Sequence, residues 1–245
     1  MEATPQETEL DVKSRPTNLW IELGVVLLVC VAPIIFTSEA DVLGLRFRPQ
    51  PTPFVYHALS SLVSYIGQIA VVLFIIWRSN DPFARFGLFP FKVGRDLVGG
   101  ILLCVILRGT YHLLWWGLCL FLSRKNYVGL VHTETAAIYN APSDRPEYFL
   151  LAVMCLVSGF FQELVMRAYL IVRLEELFES TAVAFLLSTI LFVCYHGYQG
   201  TAGVIGVVLF GVIQGIAFCA FRRLAPISIA HAVTNFIAIG RVRWL

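Results

Sequence analysis

The sequence predicts an all-α fold, a polytopic membrane helical bundle of about seven transmembrane helices. The chain has 245 residues, of which 58% are hydrophobic and 14% are charged, against roughly 45–50% and about 25% in soluble domains. A membrane span takes about 20 apolar residues, so seven spans would leave roughly 105 residues for loops and ends. That remainder is too small for a separate aqueous domain with its own core. We therefore expect any active site to lie in or against the bilayer.

Seven apolar runs, each bounded by charges or by proline and glycine clusters, are the candidate spans. They cover residues 19–37, 54–77, 97–122, 148–171, 181–197, 201–221 and 225–240. The charged segment VRLEELFES at 172–180 separates two of them, and we expect it at a membrane surface. No internal repeat is visible, which argues against a transporter built from inverted halves.

The loops divide the chain into four parts. Residues 1–18 form a polar N-terminal tail, 19–123 a three-span membrane part, 124–147 a loop, and 148–240 a four-helix core. The tail carries four acids and two bases, unlike a secretory signal peptide, so we expect the first span to be an anchor. Lysine and arginine outside the spans number 9 on one side and 7 on the other, a bias too small to fix the orientation.

Charge and cysteine content exclude two further classes. The net charge is +2 and the bases are dispersed, so we expect no nucleic-acid partner. All six cysteines lie inside apolar runs without a CxxC pair. They are typical of small buried hydrophobes rather than of disulfides or metal ligands.

Ionisable side chains at membrane depth are costly, which makes each of them a functional candidate. Glu22 and His57 lie near span ends, where reaching to the interface explains them. Deeper in the spans lie Arg108, His112, Glu163, Arg167, His196 and His231. Three of the last four apolar segments carry a pair of functional side chains four residues apart, which places each pair on one helix face: Glu163 and Arg167, Phe192 and His196, and His231 and Asn235.

These pairs belong to three short sequences: QELVMR at 162–167, FVCYH at 192–196 and HAVTN at 231–235. They resemble the motifs EExxxR, FxxxH and HxxxN/D of the CAAX-protease and bacteriocin-processing family of intramembrane proteases, also called the Abi family. Order and spacing agree as well, and the resemblance covers about residues 148–240. Each motif alone is weak, but the three in order within a hydrophobic chain are a specific signal.

The resemblance implies an intramembrane endopeptidase that cleaves a membrane-associated substrate, either a prenylated CAAX-like chain or another processed peptide. A glutamate of the first motif and His196 would hold and deprotonate the attacking water, while His231 and Asn235 would stabilise the oxyanion. Gln162, Arg167 and Phe192 would support them. The resemblance implies no cofactor, and the partners would be a peptide or protein substrate and the lipid bilayer. We expect a multi-pass protein of a prokaryotic plasma membrane.

The first motif departs from the family pattern, because Gln162 stands where the family has its leading glutamate. Glutamine cannot act as a general base. Three alternatives follow. Glu163 takes over the water, or Gln162 orients the water and His196 becomes the base, or the chain is a catalytically weakened pseudoprotease.

Other functions remain open from the residues alone. Glu163, His196 and His231 could form the His₂Glu set of a catalytic zinc, although no HExxH is present. A pseudoprotease could act as a binding, immunity or assembly factor, and Gln162 favours that reading. A transporter or channel would use the buried charges as a relay.

Helix geometry poses a problem for a shared site. With straight, alternating spans, Glu163 and His196 lie about 6 Å and about 10 Å beyond the middles of antiparallel helices, toward opposite faces. We expect helix tilts, or breaks near Gly197, Gly200 and Gly203, to remove this offset. One cavity would then unite Glu163, His196, His231 and Asn235, because their predicted roles concern one water molecule.

Overall fold

A computed structural model describes residues 19–36, 53–122 and 141–240. Within these ranges the chain forms helices and turns and contains no strand. The predicted tail at 1–18 and most of the predicted loop at 124–147 lie outside the described residues. The helices are α1 Leu19–Phe36, α2 Phe54–Arg78, α3 Val93–Phe121, α4 Arg145–Phe178, α5 Thr181–Tyr195, α6 Gly200–Phe221 and α7 Leu224–Gly240.

Length and composition make the described helices a membrane bundle. Five of them, counting α6 with the 3-10 turn that precedes it, are long and apolar enough to cross a membrane, whereas α5 and α7 are shorter. Large apolar side chains on α2 and α3 face outward, among them Val63 (74% exposed) and Trp116 (64% exposed). Such faces require lipid contact. The predicted all-α membrane fold is confirmed.

Local sequence signals set the ends of α4 and α5. Asp144 caps α4 by accepting a hydrogen bond from the Glu147 amide at 2.9 Å, and Pro146 occupies the first turn, where its missing N–H has no cost. Ser180 caps α5 in the same way, accepting from the Val183 amide at 3.3 Å. Glu179, in the left-handed region at φ 51°, ends α4 and lets the chain turn back into α5.

One helix bound differs from the prediction, and one predicted helix break is present. The segment 172–180, expected at a membrane surface, forms the last part of α4, which ends at Phe178, and its Arg173 is only 2% exposed. Glu163 therefore lies at position 19 of a helix of 34 residues. The predicted break near Gly197 and Gly200 is confirmed: α5 stops at Tyr195, and a 3-10 turn covers Gly197–Gln199.

Helix α4 is the centre of the bundle and packs against α2, α5 and α7. A β-carbon on Gly159 would lie 2.9 Å from the amide nitrogen of Ala232, so α4 and α7 approach each other backbone to backbone. Alongside α5, the hydroxyl of Ser188 donates to the carbonyl of Met166. These contacts place the motif residues of α4, α5 and α7 at similar depth.

Candidate active site

Glu163 of α4 and His231 of α7 form the central contact. The carboxylate Oε1 lies 2.6 Å from Nδ1 of the imidazole, and the two residues are 0% and 2% exposed. A carboxylate only accepts hydrogen bonds, so Nδ1 of His231 donates and Nε2 is the ring nitrogen left for another partner. The first and third motifs therefore meet directly although 68 residues separate them.

Arg167 lies on the other side of the same carboxylate. Its Nε is 3.4 Å from Oε2 of Glu163, its Nη2 donates to the carbonyl of Gly211 at 3.3 Å, and its Cζ lies 4.0 Å from the Phe192 ring centroid. A β-carbon on Gly211 would approach the Phe192 ring to 3.2 Å, so glycine makes room for this stack. A buried charge needs such partners to offset its desolvation.

A six-residue π-helical stretch, Leu164–Tyr169, carries Arg167 and begins directly after Glu163. Such wide turns are rare in proteins, and those that occur are often found at functional sites. Here the wide turn alters the ideal i, i+4 arrangement of Glu163 and Arg167, and the two still form the predicted pair.

His196 follows the last residue of α5. Its Nδ1 lies 2.9 Å from the carbonyl oxygen of Phe192. A carbonyl only accepts, so Nδ1 carries the proton and the lone pair of the neutral ring is on Nε2. That nitrogen makes no hydrogen bond to any residue of the described ranges. His196 is 6% exposed, so it is buried but less completely than Glu163.

The Phe192 ring joins the two histidines. It lies 4.4 Å from the His196 ring and 6.2 Å from the His231 ring, centroid to centroid. Phe210 of α6 completes this wall at 4.7 Å from His231. No sequence pattern predicts a role for Phe210 or Gly211, since both lie in the predominantly apolar run 201–221.

The remaining two predicted residues lie at the margin of this cluster. Gln162 is 6% exposed, and its Oε1 is buried without a hydrogen-bond partner in the described chain. Asn235 is half-buried one turn after His231 on α7, and it forms no hydrogen bond with the residues that the structure covers. The structure thus joins Glu163, Arg167 and His231 directly and leaves Asn235 outside the contact.

Several buried polar atoms on this stretch of α4 have no hydrogen bond within the described residues: Oε1 of Gln162, Oε2 of Glu163, Nη1 of Arg167 and the hydroxyl of Tyr169. Further along α4, Nε of Arg173 also lacks one. Such atoms are rare in native proteins, and a catalytic role is one recognised explanation. In an apolar helical bundle those of Gln162, Glu163 and Arg167 form a small polar site able to bind water or a peptide group.

The donors do not assemble a zinc site in this arrangement. Across residues 19–36, 53–122 and 141–240, no three side chains of His, Cys, Asp or Glu converge as metal ligands. The Nδ1 atoms of His196 and His231 both face protein acceptors. The six cysteines are free thiols. Burial is as predicted for Cys30, Cys104 and Cys155, whereas Cys194 and Cys219 are only partly buried and Cys119 is exposed.

Comparison with known proteins agrees with this site. Residues 144–237, which carry α4 to α7 almost completely, match the family model described as type II CAAX prenyl endopeptidase Rce1-like. No curated protein and no solved structure gives a significant match to the chain. The matched segment contains all three motifs in the order that the resemblance required. This C-terminal segment is therefore similar to the Rce1-like family of type II CAAX prenyl endopeptidases.

Proposed function

We propose that the chain is an intramembrane endopeptidase that hydrolyses a peptide bond of a membrane-associated protein. The observation that supports this proposal most strongly is the buried contact between Glu163 and His231. Arg167 lies against the same carboxylate, and the Phe192 ring lies between the two histidines. The family match supports the reaction class. The substrate we propose is a prenylated chain with a CAAX-like C-terminus, and the location a prokaryotic plasma membrane.

His196 is the general base in this proposal. Oε1 of Glu163 accepts from His231, and Oε2, which has no hydrogen bond among the described residues, lies 3.4 Å from Nε of the cationic Arg167, whereas Nε2 of His196 is available. The hydrogen bond from Nδ1 to Phe192 holds the tautomer with a lone pair on Nε2. An attacking water donates one hydrogen to that lone pair and the other to Oε1 of Gln162. Gln162 therefore orients the water without accepting its proton.

His231 and Asn235 stabilise the tetrahedral oxyanion. With Nδ1 donating to Glu163, an imidazolium ring presents its Nε2 hydrogen to the developing charge, and the carboxylate stabilises that charged ring. Asn235 supplies an amide donor from the next turn of α7. Each such donor is worth about 3 kcal/mol. Hydroxide adds to the carbonyl carbon, and the proton held by His196 passes to the leaving amine.

The test is cleavage of a quenched fluorescent farnesylated peptide with a CAAX-like C-terminus by the purified full chain in liposomes. We expect His196→Ala to lower the rate about 10²- to 10⁴-fold, with partial recovery in added imidazole. His112→Ala is the matched control, since His112 is an intramembrane histidine that contacts Arg108 and Tyr111 on α3 rather than the site. An undiminished rate for His196→Ala would contradict the proposal.

Two further experiments test the competing functions, a zinc protease and a pseudoprotease. Loss of cleavage on dialysis against a chelator, restored by zinc alone, would favour the His₂Glu zinc mechanism over His196 as base. The amide at Gln162 favours the second candidate, a pseudoprotease that binds its partner without cutting it. Saturable binding of the peptide with no cleavage, and no change in Gln162→Glu, would support that candidate.

A further inference from the structure

A second cavity lies at the end of the bundle where α6 ends and α3 begins. Its volume is about 400 Å³, and its lining residues are Phe89, Pro90, Lys92, Arg95, Phe221 and Arg223. Because Phe221 ends one candidate span and Val93 begins another, the cavity lies at the level where the bundle leaves the hydrocarbon. None of its residues belongs to the three motifs.

One wall of the cavity is a rigid ion pair. Arg223 donates from Nε and Nη2 to the two carboxylate oxygens of Asp96, at 2.7 and 2.6 Å. Its Nη2 also donates to the Pro90 carbonyl at 3.2 Å. Asp96 is 0% exposed and also accepts the backbone N–H of Lys92 at 2.7 Å. The carboxylate is therefore fully engaged, and only Arg223 faces the cavity with residual positive charge.

Two more cations, Lys92 and Arg95, border the cavity. Lys92 and Arg95 are exposed and form no salt bridge with any residue in the described part of the chain. The neighbouring acid Glu175 is paired with Arg222 at 2.5 Å, so it does not compensate them. Among the described residues, three bases against one acid leave two net positive charges on a cavity beside the bilayer surface.

Aromatic rings form the rest of the rim. Phe89 is 42% exposed and Phe221 is 69% exposed, and the neighbouring Phe91 is 56% exposed. The guanidinium carbon of Arg223 lies 5.1 Å from the Phe89 ring centroid. Exposed aromatic rings beside cations fit the boundary between headgroups and acyl chains. An anion that enters here meets positive charge at one end and apolar surface at the other.

We propose that this cavity binds the phosphate of an anionic phospholipid, with the acyl chains lying against the exposed apolar faces of α3 and α6. Free inorganic phosphate shares the charge chemistry, but the aromatic rim matches only the lipid. The proposal does not depend on the hydrolytic function, because no residue of the cavity takes part in the proposed reaction.

The experiment is native mass spectrometry of the full chain in neutral detergent, with equimolar phosphatidylglycerol and phosphatidylcholine of identical acyl chains. We expect preferential retention of phosphatidylglycerol. Each cation near a membrane surface contributes about fivefold, so Lys92→Ala with Arg95→Ala should lower the preference about thirtyfold. Arg145→Ala is the matched control, an exposed base at the start of α4, near the opposite end of α7, and it should change nothing.

Competition identifies the source of the anion. Short-chain phosphatidylglycerol should displace the bound lipid, whereas inorganic phosphate at the same concentration should not. Equal displacement by inorganic phosphate, or displacement by a peptide with a free C-terminal carboxylate but not by its amide, would overturn the lipid assignment. So would an unchanged preference in the double variant. If that variant does not fold, Arg95→Gln alone should still lower the preference about fivefold.

Discussion

Two buried arginines on α4, Arg167 and Arg173, are neutralised in different ways. Within the described part of the chain, Arg167 has a single carboxylate near it, that of Glu163, which it shares with His231. Arg173 pairs with three acids: Glu22 at 3.2 Å, Asp81 at 2.7 Å and Glu176 at 3.1 Å. The first cluster has one carboxylate placed between an arginine and a histidine. The second has acids in excess and joins α1, α4 and the loop after α2.

The two arginine clusters differ in role: the groups around Arg167 suit a reaction, and those around Arg173 stabilise the fold. Arg85 adds a second base to the Arg173 cluster through Asp81 at 2.6 Å and Glu176 at 3.1 Å. Every acid of that cluster therefore has an arginine partner, and the cluster contains no histidine, although Oε2 of Glu22 and Nε of Arg173 make no hydrogen bond within the described residues. Near Arg167, polar atoms of Gln162, Glu163 and Arg167 itself remain without hydrogen bonds. Substitutions in the two clusters should accordingly affect different properties of the protein.

The largest effect is expected for Glu163→Gln, which should lower hydrolysis by about 10³ or more, while Gln162→Ala keeps measurable activity. The amide removes the charge that supports an imidazolium at His231 and leaves Arg167 buried without a counter-ion. The rate per folded molecule measures it. Glu176→Gln is the matched control because it removes a carboxylate from the Arg173 cluster instead. An active Glu163→Gln protein would mean that His231 needs no carboxylate.

Arg173→Met should lower stability by about 3 kcal/mol, because it leaves three acids without their shared partner. Hydrolysis per folded molecule should stay at the wild-type level, since the substitution leaves the residues around His196 in place. Unfolding in mixed detergent micelles measures the first quantity and peptide cleavage the second. Normal stability combined with lost cleavage would contradict the structural role that we assign to this arginine.

A smaller effect should appear in the pH dependence of stability. Burial alone would raise the pKa of Asp81, but the hydrogen bonds from Arg173 and Arg85 outweigh it and hold the pKa below its usual value. A lowered pKa adds stability that is present above the unfolded value of about 4 and is lost as the pH falls through the folded value. Asp81→Asn should therefore be less stable than wild type at about pH 6.

At acid pH below the folded pKa of Asp81, the difference in stability between wild type and Asp81→Asn should shrink. Thermal unfolding in detergent at both pH values measures it. Glu179→Gln is the control, since Glu179 lies in the turn after α4 and forms no salt bridge within the described ranges. A difference that is the same at both pH values would show that Asp81 acts through packing rather than through its charge.

The sequence predicted most of the helices because apolar runs report directly on membrane spans. It also predicted the direct pair of Glu163 and Arg167, since i, i+4 spacing is a local signal. The contact of Glu163 with His231 was expected only in outline, through the motif resemblance. The direct contact between these two side chains depends on the close approach of α4 and α7 at Gly159. No local sequence pattern predicts that approach.

The sequence did not predict the Arg173 cluster. Its charges come from α1, the loop after α2 and α4, up to 151 positions apart between Glu22 and Arg173, so no spacing rule connects them. The position of 172–180 at a membrane surface stays a prediction, and Glu22 lies near a span end as predicted, in the first turn of α1. A charged segment can be buried where partners distant in sequence neutralise it, and hydropathy alone does not reveal those partners.

The smallest change that we expect to measure is that of Gln162→Glu, which restores the paired acids of the family motif. The new carboxylate would stand beside Glu163, and two neighbouring carboxylates repel, which raises the proton affinity of one of them. Arg167, whose Nη1 is without a partner, can offset part of the added charge. If Gln162 only orients the water, a carboxylate there adds a second base, and cleavage should rise by no more than about tenfold.

The pH–rate profile of Gln162→Glu should gain a rising limb that belongs to the new acid. Gln162→Met, which removes the polar group at similar volume, should slow the reaction instead. A well-folded Gln162→Glu protein that cleaves no faster than wild type would mean that the pocket is built around the amide, and equal rates for all three proteins would remove Gln162 from the mechanism.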